Sequence, residues 1–312
     1  MFTAGKKGRI AVIGALAVSA AMALAGCSSS SSTPLGGGSS ASGSAAAGTI
    51  VIGSQAYYSN EIIAEIYAQA LEANGQTVTR QFNIGQRDAY MPSVEDGTVT
   101  LFPEYTGNLL QYLDPKATAT TSADVYAALQ KAVPADLEVL DQAPAADQDA
   151  YVVTKALADQ YGLKTIADLS KVPNVTMGAN QEFATRPYGP PGALSTYGVT
   201  LAFTPIGDSG GPLTVKALTD NTVQVADIYT SSSAITTDNL VVLGDPKGLI
   251  LASNVVPIIN KSAATPEVTS VINKVDAALT SSELAALNDQ STVDQKSSAD
   301  IAKAWLAKEK LF

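Results

Sequence analysis

Apolar positions along this chain recur with two periods that take turns. Residues 49–53 (TIVIG) form a short apolar run that reads as a buried strand. From Asn60 the segment NEIIAEIYAQALEANG places Ile62, Ile63, Ile66, Ala70 and Leu71 on one helical face, and Gly75 ends it. Residues 77–84 alternate as a strand does, and 99–102 is a further short apolar run. Thr121 followed by Asp124 predicts a capped helix to about 133, with strands at 137–140 and 150–154. The middle of the chain repeats the alternation, with strands at 175–178, 199–204 and 223–229 and helical pieces at 192–197 and 213–218. Strands at 240–243 and 255–259 lead to a helical tail. There Thr265 with Pro266, Thr280 with Glu283, and Ser297 with Asp300 each announce a helix start. Strands and helices alternating over this length predict an α/β architecture with mostly parallel sheets and no internal repeat.

The N-terminus obeys a different pattern. Lys6, Lys7 and Arg9 precede an apolar run of 16 residues (10–25) that ends in Leu24-Ala25-Gly26-Cys27. A positive start, a short apolar stretch and small residues at its end make an export signal. The run falls short of the roughly 20 residues a spanning helix needs. The Leu-Ala-Gly-Cys sequence resembles a bacterial lipobox, which implies a signal peptide over 1–26 and lipid on Cys27. Residues 28–48 are almost wholly Ser, Gly and Ala, a composition that buries no core and behaves as a tether. A body of 264 residues (49–312) remains.

Composition then narrows the chemistry. The formal charge of −10 becomes −13 without Lys6, Lys7 and Arg9, which argues against nucleic-acid binding. The chain has no histidine, and Cys27 is its one cysteine. Serine and cysteine triads and ordinary zinc sites are thereby excluded. No phosphate-binding or dinucleotide-binding glycine loop occurs. Neither a metal nor a cofactor is expected, although carboxylate or Ser-Lys catalysis stays formally open. Tyrosines outnumber phenylalanines twelve to six, and every tyrosine lies after residue 49. A buried tyrosine must satisfy its hydroxyl, so the excess points to a polar aromatic surface or pocket.

Six stretches carry a family resemblance. They are IVIGSQ (50–55), DGTVTLFPEYTGNLL (96–110), QDAYVVTK (148–155), QEFATRPYGPPGAL (181–194), VADIYTSSSAI (225–235) and DNLVVLGDPKG (238–248). In this order they resemble the substrate-binding lipoproteins of ABC importers for glycine betaine, choline and related osmoprotectants. The resemblance implies a two-lobed body of the type 2 periplasmic-binding-protein kind, with a ligand cleft between the lobes. Lobe one would comprise 49–150 plus 238–312, and lobe two 151–237. It further implies partnership with a membrane permease and its ATPase, and attachment to the outer face of the cell membrane.

A trimethylammonium group carries charge but no N–H donor, so an electron-rich aromatic face selects it better than ordinary hydrogen bonding does. In the family the aromatic cage includes the tyrosines of the PEYTG, DAY and DIY stretches, here Tyr105, Tyr151 and Tyr229. Asp149, two residues before Tyr151 on the same strand face, would add negative potential. Where relatives place a further tyrosine this chain has Ser253, so the cage would be either three-sided or completed from elsewhere, with Tyr58 and Tyr188 as the candidates. The ligand's other end would meet Gln55, Asn108 and Arg186, the arginine suited to a carboxylate through its two-pronged fork. The departures at Ser253, Tyr188 and Gln55 leave choline-like and betaine-like ligands both open. Another small polar or aromatic solute is the nearest alternative. An extracytoplasmic enzyme and a protein-interaction lipoprotein are the rivals from other classes.

Overall fold

The computed structural model describes residues 48–312. The signal segment 1–26, Cys27 and all of the tether but Gly48 lie outside the described residues. Among those described, no helix is long and apolar enough to cross a membrane.

The first part of the chain runs β1 (Thr49–Gly53), α1 (Tyr58–Ala73), β2 (Thr77–Gln81), α2 (Arg87–Glu95), β3 (Leu101–Tyr105), α3 (Thr106–Leu113), α4 (Ser122–Ala132) and β4 (Leu137–Val139). The second comprises β5 (Tyr151–Thr154), α5 (Lys155–Tyr161), β6 (Thr176–Ala179), α6 (Pro190–Gly192), β7 (Ala202–Pro205), α7 (Pro212–Thr219), β8 (Val225–Asp227), α8 (Ala234–Thr237) and β9 (Leu240–Val242). The chain then closes with β10 (Val255–Asn260), α9 (Pro266–Ala278), α10 (Ser281–Thr292) and α11 (Ser298–Glu309). Two five-stranded sheets result, ordered β2-β1-β3-β10-β4 and β7-β6-β8-β5-β9. They are the cores of two lobes.

Local chemistry explains most boundaries. The hydroxyls of Thr121, Thr265, Thr280 and Ser297 accept from backbone N–H groups in the first turns of α4, α9, α10 and α11, as their spacing predicts. Gly75 takes φ +78°, which releases the chain after α1 at no side-chain cost. Helix α2 is absent from the periodicity reading. Pro92 sits inside it and removes a hydrogen bond, so it survives on the burial of Tyr90, Met91 and Val94.

Strand alternation sends successive side chains to opposite faces. In the first sheet Ile50, Ile52, Leu101 and Val255 join the core under α1, α9, α10 and α11, whereas Val51, Phe102, Val256 and Ile258 join the core with α2, α3 and α4. In the second, Tyr151, Val153, Met177 and Val225 face one core and Val152, Ala226 and Leu240 the other.

The sheets are not simply parallel. Strand β10 runs antiparallel to both β3 and β4, and β5 runs antiparallel to both β8 and β9. Each is the strand on which the chain enters a sheet from the other lobe, so it arrives from the opposite end. The return is also later than 238, the boundary expected from sequence. β9 pairs with β5 in the second sheet, so residues 240–242 stay with that sheet and the chain crosses back between β9 and β10. Over 144–149 and 250–255 the two crossings run side by side, with an antiparallel bridge between Ala146 and Asn254 and the Asp147 N–H donating to the Ser253 carbonyl at 2.9 Å. The cleft lies beside these two crossing segments, from which Asp147 and Asp149 enter it.

Candidate functional site

A cleft lies between the lobes. Gln55, Tyr57, Gln86, Arg87, Tyr105 and Asn108 line it from the first lobe, Asp147 and Asp149 from the crossing, and Asn180, Arg186, Tyr188 and Tyr229 from the far side. Every one of these residues lies at the end of an element or on a loop between elements. Gln55 follows β1, Tyr57 caps α1, Tyr105 ends β3 and Asn108 lies in the first turn of α3. This placement is usual for α/β folds, where ligands meet the loops at strand ends.

One end of the cleft is aromatic. The Tyr57 ring meets Tyr229 edge-on at 4.9 Å and Tyr58 at 4.8 Å. Its hydroxyl donates to Asp147 Oδ2 at 2.9 Å, and the Ser231 N–H donates to Asp147 Oδ1 at 3.2 Å. Asp147 is buried, and that burial lifts its pKa to about 6 even though Ser231 and Tyr57 hydrogen-bond the ionised form. Tyr105 is buried too. Its hydroxyl sits beside Ser59 and Asn60 without meeting hydrogen-bond geometry to either. Burial pushes the Tyr57, Tyr105 and Tyr229 phenols well above their ordinary range, with Asp147 next for the first two and Asp227 for Tyr229, so all three rings stay neutral. Neutral phenol faces beside a carboxylate make a surface of negative potential.

The other end is basic. Arg186 lies close enough to Tyr188, Arg87 and Asp149 for their charges to act on it. Among the described residues its guanidinium makes no hydrogen bond and no ion pair. Arg87 behaves differently. It is buried and binds Glu104 through two contacts of 2.8 Å, Nε to Oε1 and Nη2 to Oε2. Burial works against the Arg87 charge, and Glu104 more than offsets it. Glu104 also accepts from the Tyr90 hydroxyl and from the Tyr105 N–H, so the pair fixes the end of β3. Behind the cleft Asp227 is buried, and burial followed by the charge of Asp149 raises its pKa well above the ordinary range. Gln55 Nε2 is buried without a partner.

Of the residues singled out in the sequence, Gln55, Tyr105, Asn108, Asp149, Arg186, Tyr188 and Tyr229 come together here. Tyr151, Tyr58 and Ser253 do not line the cleft. Tyr151 faces the second-lobe core against Phe183, and its hydroxyl donates to the Tyr188 carbonyl at 2.8 Å. Tyr58 lines a separate groove with residues of α7 and α8. Ser253 serves Asn108. Its Oγ accepts from the Gly107 and Asn108 N–H groups at 3.2 and 3.3 Å and donates to Asn108 Oδ1 at 2.6 Å. The Asn108 amide also donates to Asp149 and, at 2.8 Å, to the Tyr188 hydroxyl, which leaves it no spare donor. Sequence reasoning passed over Tyr57, Gln86, Arg87, Asp147 and Asn180. Asp147 was within reach, since it precedes Asp149 by two residues and extended chain returns to the same face at that spacing.

Residues 48–308 match the family described as the substrate binding domain of ABC-type glycine betaine transport system. The chain is 24% identical over 272 residues to the glycine betaine-binding protein YehZ of Escherichia coli strain K12, across 82% of this chain and 89% of that protein. A crystal structure of a glycine betaine/carnitine/choline ABC transporter matches with a TM-score of 0.67 at 22% identity, covering 84% of this chain and 99% of that one. Lactococcal OpuAC, in a closed-liganded conformation complexed with glycine betaine, matches with a TM-score of 0.61 at 17% identity, covering 84% and 96%. At such identities the likeness to the solved structures is a likeness of fold.

Proposed function

We propose that this chain, which belongs to the family of substrate-binding domains of ABC-type glycine betaine transport systems, captures a quaternary ammonium osmoprotectant in its cleft. The ammonium group rests against Tyr57, Tyr105 and Tyr229, with Asp147 and Asp149 supplying negative charge. Each good cation–π contact is worth about 0.5–2 kcal/mol. Tyr57 takes the part first assigned to Tyr151. The carboxylate or hydroxyl end of the ligand turns to Arg186 and Gln55. Tyr188 and Ser253 act through Asn108, which they hold in place. In this reading no bond is made or broken. The loaded protein passes its ligand to a membrane permease driven by a separate ATPase, outside the cytoplasm and on a lipid anchor at Cys27.

A single observation carries the reading. The Arg186 guanidinium, without a partner among the described residues, lines the same cleft as the neutral tyrosine rings. A half-buried guanidinium without a protein partner is open to a ligand carboxylate, with which it makes a charge-assisted pair. Titration calorimetry of the purified chain against glycine betaine, choline, carnitine and an aromatic amine tests the ligand class. Saturable binding of glycine betaine or choline is expected. Tight binding of the aromatic amine alone would replace the quaternary ammonium with the alternative solute class. Membrane fractionation tests the anchor, since Cys27→Ala should release the protein and leave its affinity unchanged.

A further inference from the structure

Gln86 joins the two lobes at the cleft. It caps α2 on the first lobe, and its side chain is half-buried. Its Nε2 donates to Ser209 Oγ at 3.1 Å, and its Oε1 accepts from Asn180 Nδ2 at 3.1 Å. Both partners belong to the second lobe. Asn180 follows β6, and Ser209 lies in the turn before α7 with φ +51°. Both are buried, at 6% and 3% exposure, so neither side chain can exchange Gln86 for bulk water while the lobes keep this arrangement. A side-chain amide that donates to one residue of the opposite lobe and accepts from another is matched to this arrangement of the lobes.

The anchor of Gln86 is stiff. Its neighbour Arg87 is held by Glu104 in the buried two-contact pair, and Glu104 accepts from the Tyr105 N–H at 2.9 Å. The bridge across the cleft and the aromatic wall that includes Tyr105 are therefore parts of one rigid unit.

We infer that Gln86, with Asn180 and Ser209, is a latch that holds the lobes shut and sets how long the cleft retains its ligand. Gln86 is a positioning residue in this role. The latch rests on reading the cleft as the ligand site only for its effect on retention, since its effect on lobe closure needs no ligand.

Two measurements test it. Spin labels at Lys131 and Thr200, one exposed position on each lobe, report the inter-lobe distance in a Cys27→Ser background of the full chain. Without ligand, Gln86→Ala should populate a longer distance that the parent shows little of. Gln86→Asn, which keeps the amide but is one carbon shorter, should do the same. Stopped-flow release of glycine betaine should be about tenfold faster in Gln86→Ala, in keeping with the loss of two neutral hydrogen bonds. Ser209→Ala should give a smaller increase in the same direction, and it decides the mechanism because Ser209 does not line the cleft. Unchanged distances in both Gln86 variants overturn the latch. So does a silent Ser209→Ala beside a weakened Gln86→Ala, which would make Gln86 a ligand contact instead. If the parent chain binds no glycine betaine, the ligand reading fails, and the distance measurement alone still decides the latch.

Discussion

The two ends of the cleft meet their polar requirements in opposite ways. At the aromatic end the rings of Tyr57, Tyr58 and Tyr229 brace one another, and the Tyr57 hydroxyl is already spent on Asp147. At the basic end the Arg186 guanidinium has no hydrogen-bond or ion-pair partner among the described residues, although Arg87 nearby is paired with Glu104. An aromatic wall needs shape more than hydrogen bonds, so it can be complete before the ligand arrives. A charge–charge contact needs its partner, so that end stays unfinished. On the proposed reading, the aromatic end would set which cations fit and the basic end which of them are held tightly.

The largest expected effect separates the tyrosines that build the aromatic end from the one that only supports the fold. Tyr151 is 1% exposed and packs in the second-lobe core. Tyr151→Ala should therefore cost about 3–5 kcal/mol of stability through cavity formation, read as a lower midpoint in urea unfolding. Tyr57→Ala should instead weaken binding of a quaternary ammonium by about 1–3 kcal/mol, combining lost cation–π attraction with lost apolar contact. If Tyr151→Leu, which removes the ring but fills much of its space, abolishes binding in a folded protein while Tyr57→Ala leaves it intact, the two assignments are reversed.

At the basic end the expected effect is next in size. Replacing Arg186 by alanine removes a charge-assisted bond to a ligand carboxylate, worth about 1.5–3 kcal/mol. Choline carries no carboxylate, so its affinity should change far less. The ratio of glycine betaine to choline affinity, wild type against Arg186→Ala, is the informative quantity. An unchanged ratio would take Arg186 out of ligand recognition and leave its missing partner to be explained within the protein.

Much of this was legible in the sequence, and the rest was hidden for definite reasons. Periodicity alone located α1, and an apolar face with a capping hydroxyl located α4 and the three C-terminal helices. Helix α2 was invisible because Pro92 breaks the expected pattern and tertiary burial restores it. The reversed strands β5 and β10 read like any other strand, since apolar alternation carries no direction. At the site, the adjacent tyrosines 57 and 58 were the hardest pair to separate. Tyr57 is extended (φ −149°, ψ 124°) as the cap of α1 and lines the cleft, whereas Tyr58 is the first helical residue and lines a different groove. A shift of one residue at a helix start decides which side chain enters the site. Tyr151 shares the parity of Asp147 and Asp149. It nevertheless leaves the cleft, because β5 begins there and the strand commits that face to the core beside Phe183.

The smallest expected effect tests the negative charge at the aromatic end through its pH dependence. Burial holds Asp147 near a pKa of about 6, above its ordinary 3.8. A raised pKa means that the folded, empty cleft prefers the neutral acid. The stability from this group is thus present below about pH 4 and is lost as pH rises through about 6. A bound ammonium reverses the preference, because it attracts the ionised carboxylate and draws the pKa back down. Binding and proton release are then linked, and affinity for choline should rise with pH until Asp147 is ionised in the empty protein. One pH unit below the pKa leaves about a tenfold excess of neutral acid, so affinity at pH 5 should be up to about tenfold weaker than at pH 7.5. Asp227 also has a raised pKa, caused by its burial and then by Asp149, so it titrates in the same direction. Arg186, Arg87 and the tyrosines keep one charge state across this range. Asp147→Asn isolates the contribution, since the amide oxygen can still accept from Ser231 while the charge is gone. This variant should bind choline more weakly at pH 7.5 and lose most of the slope between pH 5 and 7.5. If its slope matches that of the wild type, the pH dependence belongs to Asp227, and the aromatic end recognises its cation without help from Asp147.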